Sequence, residues 1–230
     1  MYFNPYALPL FISGLILPLL AYRAWNFRFV RGAKYFAFLV SSCAVYCLAY
    51  SMEISSSGLE TVFFWLKIEY VGIAMIAPAF ILFAVDYTGW RAKLSAPVVV
   101  ALFIIPIVTI ALFLTTPSHG LIYSSAQMDT SGPFPVIVTE RGFWYWVQGI
   151  YVILAIVFSN VLFVLMWQGS NQVYRKQVMF MMVASFVPWL GFIFYLTRPI
   201  SWNIDMVPFF LALSGIFSFL GLSRYRFFDL

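Results

Sequence analysis

The sequence predicts an all-α fold: an integral membrane bundle of seven transmembrane helices, N-terminus outside and C-terminus cytoplasmic, with a short β-hairpin in one external loop. Three observations predict it. The 230 residues are 63% hydrophobic and only 9% charged, with mean hydropathy +0.95, whereas a soluble domain carries about a quarter charged residues. The apolar residues fall in seven runs, each close to the roughly 20 residues that cross a bilayer. Lys and Arg collect on alternate connections.

The first run, Tyr6 to Trp25, follows Met1-Tyr2-Phe3-Asn4-Pro5, which has neither a basic n-region nor a small-residue cleavage site, so it reads as a retained helix. The second, Tyr35 to Met52, carries Cys43 and Cys47 on one helical face, a spacing suited to packing and not to a disulfide within one helix. The third runs from Thr61 to Thr88 and the fourth from Leu94 to Thr116. The longest loop, Pro117 to Gly142, contains two β-prone runs, Gly120 to Ser124 and Pro135 to Thr139, around the turn-rich Asp129-Thr130-Ser131-Gly132-Pro133. That pattern predicts a hairpin capping the bundle. The remaining runs are Phe143 to Trp167, Gln177 to Thr197 and Asp205 to Leu222. Continuous apolarity argues for helices, because membrane strands alternate in polarity over about 10 residues. Residues 1–230 therefore read as a single transmembrane domain.

Orientation follows from Arg23, Arg28, Arg31, Lys34, Arg91, Lys93, Arg175, Lys176, Arg224 and Arg226, which lie on the first, third and fifth connections and at the C-terminus. The positive-inside rule makes that side cytoplasmic. Trp25, Trp90 and Trp167 then mark cytoplasmic ends, and Trp65, Trp144, Trp146 and Trp202 external ends, as an aromatic belt requires. The net charge of +5 describes a face near anionic lipid and not a nucleic-acid patch.

Ionisable residues within spans are costly and point to function. Lys67 and Glu69 lie about 9 to 12 Å along the third helix from Thr61, on nearly opposite sides of it. Polar stripes at i, i+4, i+7 occur on other helices: Tyr46, Tyr50 and Glu53 on the second, and Trp144, Gln148 and Tyr151 on the fifth. Glu60, Phe63, Lys67 and Tyr70 mark the third, and Asp205 opens the seventh. Their common depth predicts an external-half ligand pocket lined from Glu53, Lys67, Glu69, Tyr70, Trp144, Gln148, Tyr151, Trp189 and Asp205. Pro78, Pro106, Pro188 and Pro208 interrupt four helices. Pro188, Trp189, Gly191 and Pro208, with Arg224 and Arg226 at the exit, are the expected signal-transmission residues.

His119 has no Cys or His cluster nearby, so no metal site is expected. Neither a nucleophile with its base nor a phosphate-binding glycine loop is visible, so no catalysis and no cofactor are expected of this chain.

The sequence resembles the seven-helix N-terminal sensor region of membrane histidine kinases. The resemblance rests on Asn4-Pro5-Tyr6, the run Phe64 to Ile73, Pro78, Asp86-Tyr87-Thr88-Gly89, Thr116 to Leu121, and Gly142 to Trp146 with Tyr151. It continues through Tyr174 to Gln177, Pro188 to Gly191, Tyr195, Asp205 to Phe210, Leu213-Ser214-Gly215 and Arg224 to Leu230. Two positions depart from the pattern: Gln148 replaces an expected histidine and Phe192 an expected asparagine. The resemblance implies a receptor. Its expected partners are a small-molecule ligand, the lipid bilayer, a cytoplasmic output domain after Leu230, and a second copy of the chain, with no nucleic acid. A small membrane transporter is the alternative, disfavoured because no internal repeat is visible. Retinal photochemistry is disfavoured because Lys34, Lys67, Lys93 and Lys176 all lie outside the seventh helix.

Overall fold

The structure is a computed structural model, which describes residues 3–90, 95–116, 118–130, 134–170, 172–197 and 204–224. Among these residues seven helices occur: α1 (Ala7–Asn26), α2 (Ala33–Glu53), α3 (Leu59–Tyr87), α4 (Ala96–Leu114), α5 (Phe143–Gly169), α6 (Gln172–Thr197) and α7 (Val207–Arg224). Five of them, α1 to α5, are long and apolar enough to cross a membrane. Arg91, Lys93, Pro117, residues 131–133, Trp202 and Arg226 lie outside the described residues, as does the side chain of Arg224.

Strands β1 (Tyr123–Asp129) and β2 (Val136–Arg141) pair antiparallel in the loop before α5. The first strand begins at Tyr123, three residues later than the sequence pattern suggests, and the reason is local. Gly120 has φ +62°, and the carbonyls of Leu121 and Ile122 accept the amides of Trp144 and Gly142 at 2.8 and 2.7 Å. Those residues therefore hold the start of α5 instead of entering the ladder. Gly142 fits only without a side chain, since a Cβ there would lie 2.3 Å from the Leu121 carbonyl oxygen. Buried Phe134 brings the hairpin onto Tyr6, with ring centroids 5.3 Å apart.

α2 is the central helix. It packs on α1 and α3, and both neighbours approach through glycines. A Cβ on Gly72 would sit 2.7 Å from the Ser42 carbonyl oxygen, so α2 and α3 meet backbone to backbone. Gly14 similarly receives Leu48. The ends are pinned as well: Asn4 donates its side-chain amide to the Ile54 carbonyl at 2.7 Å, and the Gly32 amide donates to Asp86 at 2.9 Å. α7 closes the bundle by packing against α6, α2 and α1. α4 is peripheral and buries only Pro106, Thr109 and Phe113, a single face at i, i+3, i+7 spacing. Val100, Ile104, Ile107 and Leu114 point outward, as the exposed face of a lipid-facing helix does.

Candidate ligand chamber

Between α2, α3, α5, α6 and α7 lies a cavity of about 260 Å³. Its hairpin end is polar. Glu69 and Asp205 line it together with Tyr46, Tyr70, Tyr123, Trp144 and Gln148. Deeper in, the walls are apolar and aromatic: Phe36, Val40, Ile76, Phe80, Phe83, Met181 and Leu211.

Asp205 organises one side. Its carboxylate accepts the Tyr46 hydroxyl on one oxygen and the Val207 amide, at 2.8 Å, on the other. The second bond caps the N-terminus of α7, where a carboxylate is favoured. Tyr50 adds a third tie, its hydroxyl oxygen accepting the Asp205 amide at 2.6 Å. The Tyr46 and Tyr50 stripe of α2 therefore serves to hold α7.

Glu69 sits on the facing wall, 4% exposed. It shares a side-chain hydrogen bond with buried Glu53 at the end of α2. The other Glu69 oxygen, Oε2, has no partner. Gln148, 6% exposed, uses its Oε1 to accept the Thr109 hydroxyl at 3.0 Å, and its Nε2 is unpartnered. Trp144 Nε1 donates to the same Thr109 oxygen at 2.9 Å, so this hydroxyl fastens peripheral α4 to α5. Tyr70 stacks on Phe113 at 3.9 Å and meets the Tyr123 hydroxyl at 2.7 Å, closing the chamber under the hairpin.

The prolines act in two ways. A proline has no N–H, so it leaves the carbonyl four residues earlier without its helical donor. Pro106 frees the Leu102 carbonyl, which accepts the Tyr151 hydroxyl at 2.7 Å. Pro188 frees the Ala184 carbonyl, which accepts the Ser214 hydroxyl from α7. Gly191 is buried against the start of α7, where a Cβ would lie 2.9 Å from Val207 Cα. Pro208 lies at the other side of that joint, its carbonyl facing the Cys47 thiol at 3.4 Å.

Of the nine expected ligand-binding residues, Glu69, Tyr70, Trp144, Gln148, Trp189 and Asp205 line the cavity. Glu53 stands behind Glu69, Tyr151 is engaged by the α4 backbone, and Lys67, partly buried, is not among the lining residues. Sequence reasoning missed Thr109, Tyr123 and the deep aromatic walls. Thr109 was detectable as the only hydroxyl between Val98 and Leu114 in an apolar helix. His119 holds the loop that leads into the hairpin, where its Nδ1 accepts the Leu121 amide at 3.1 Å while Nε2 faces the Leu112 carbonyl at 3.0 Å.

Apolar helices around a chamber that is polar at one end are the build of a multi-pass membrane protein. The chain belongs to the family described as the N-terminal 7TM region of histidine kinase, whose model matches residues 9–230. No curated protein matches the chain.

Proposed function

We propose that residues 1–230 form one sensor domain that takes a small ligand into the chamber and passes its occupancy to a cytoplasmic output domain. In this reading α6 and α7 also span the bilayer, the hairpin faces outside, and the exit of α7 faces the cytoplasm. The distribution of basic residues supports that orientation.

The observation that carries the proposal is the pair of buried, unpartnered polar atoms, Glu69 Oε2 and Gln148 Nε2, beside one cavity. Leaving such groups unpaired costs about 1–3 kcal/mol each, and a ligand that pairs them recovers this cost. Transmission runs through the α6–α7 contact, because Pro188, Trp189, Ser214 and Gly215 line the same cavity. A ligand biases two helix arrangements only by its difference in affinity for them.

The test fuses the chain to a histidine kinase domain and fills the chamber with Val152→Phe or Ile73→Phe, both at lining positions. Basal autophosphorylation should shift by a factor of about 5 to 30, the effect of one or two kcal/mol on a two-state balance. Normal output from both variants, folded and inserted, would remove the chamber from signalling.

A further inference from the structure

Resting on that reading, we infer that the ligand is a single-chain amphiphile whose uncharged head both donates and accepts hydrogen bonds, a long-chain primary amide or alcohol, and not a fatty carboxylate.

The shape of the chamber gives the chain. Glu69 and Phe83 line the same cavity from one helix, and at 1.5 Å rise per residue they are about 21 Å apart along α3. The walls over that distance are Ile73, Ile76, Phe80 and Phe83 on α3, with Val40 and Phe36 on α2 and Met181 on α6. Two hydroxyls in the deep part are already committed, Ser185 to Asn160 at 2.8 Å and Ser214 to Ala184. A long, narrow, apolar space with its polar groups gathered at one end matches an extended alkyl chain better than a compact polar solute.

The chemistry of the hairpin end gives the head. Glu69 Oε2 is a free acceptor and Gln148 Nε2 a free donor. A head that satisfies both must carry one N–H or O–H and one lone pair, as an amide or a hydroxyl does. Glu69 and Asp205 are the acidic side chains among the described lining residues, and none of the lining residues is Lys, Arg or His. A carboxylate head would add a negative charge with no counter-charge and no donor for Glu69. Glu53 supplies nothing to offset this, because its side chain is turned to Glu69.

The experiment uses the chain in lipid nanodiscs with a dodecanamide analogue carrying a photoreactive diazirine at the far end of its chain. Labelling should saturate and map to peptides around Phe80 to Phe83 and Met181. Unlabelled dodecanamide and dodecanol should compete, with dodecanoate weaker by about tenfold or more, the effect of one buried polar group left unpaired. Glu69→Gln keeps a partner for Glu53 and offers the head a side-chain amide that can donate to a carboxylate, so the gap between amide and carboxylate should narrow. Equal competition by dodecanoate, or a gap unchanged in Glu69→Gln, overturns the head assignment. Label confined to outward positions such as Val100 and Leu154, with no saturation, overturns the chain assignment. A diazirine-bearing phosphatidylcholine run in parallel separates a ligand from bilayer lipid: equal labelling of the cavity floor by that phospholipid overturns the proposal. None of these outcomes bears on whether filling the chamber changes kinase output, so the sensor reading stands or falls separately.

Discussion

Ser214 on α7 donates its hydroxyl to the main-chain carbonyl of Ala184 on α6, the carbonyl that Pro188 leaves without a helical donor. The interruption in one helix is thereby completed by the next. Ser214→Ala should destabilise the protein by about 1 kcal/mol and change basal output in a kinase fusion, whereas Ser214→Thr should keep both near wild type. Thermal unfolding in detergent and autophosphorylation measure the two effects.

The backbone contact at Gly72 predicts a position that rejects any side chain. Gly72→Ala should cost about 1–3 kcal/mol, because the atoms it meets are Ser42 O and Tyr46 N, which cannot move independently of α2. Gly149→Ala is the control, since beyond its own stretch of helix nothing lies within 4 Å of its Cβ position. Comparable melting temperatures for the two variants would contradict the close approach.

The clasp on Asp205 is predicted to be cooperative. Tyr46→Phe should cost about 1.5–3 kcal/mol, the range for a hydrogen bond to a charged group. Tyr50→Phe should cost less, since Tyr50 accepts a neutral amide. A double-mutant cycle of Tyr46→Phe with Asp205→Asn reads the coupling, and additive effects would show that the bond contributes nothing in the membrane.

Orientation is testable with single cysteines, because native Cys43 and Cys47 are buried. Gln127→Cys on the hairpin should react with an impermeant maleimide in intact cells, while Gln168→Cys near the end of α5 should react only after permeabilisation. The opposite pattern would invert the topology.

The helical segments were legible in the sequence because apolar length is written directly in composition. α1 lies within a residue of the expected run, whereas α6 begins at Gln172, five residues before the apolar segment. Arg175 and Lys176 occupy that extra turn, where the helix continues beyond the apolar stretch and hydropathy no longer reports it. Within the site, Glu69, Gln148 and Asp205 stood out because polar groups at membrane depth demand an explanation. Phe80, Phe83 and Met181 did not, since an aromatic or Met side chain lining a void has the same sequence signature as one packed in a core. Tyr151 illustrates the converse. Its place on a polar stripe is visible in the sequence, but its hydroxyl answers a missing N–H on a neighbouring helix, a need invisible from the fifth segment alone.

Tyr46 and Asp205 are 159 residues apart in the chain. Synthesis delivers the N-terminal helices first, so α1, α2 and α3 can assemble through Gly14 and Gly72 while the residues that complete the ring are still unmade. During that interval the faces of Tyr46, Glu69 and Phe83 are an open trough in contact with whatever surrounds the nascent protein. Arrival of Asp205 converts the trough into a chamber. The chamber is therefore a late product of synthesis, with its last wall in place only when the seventh helix arrives.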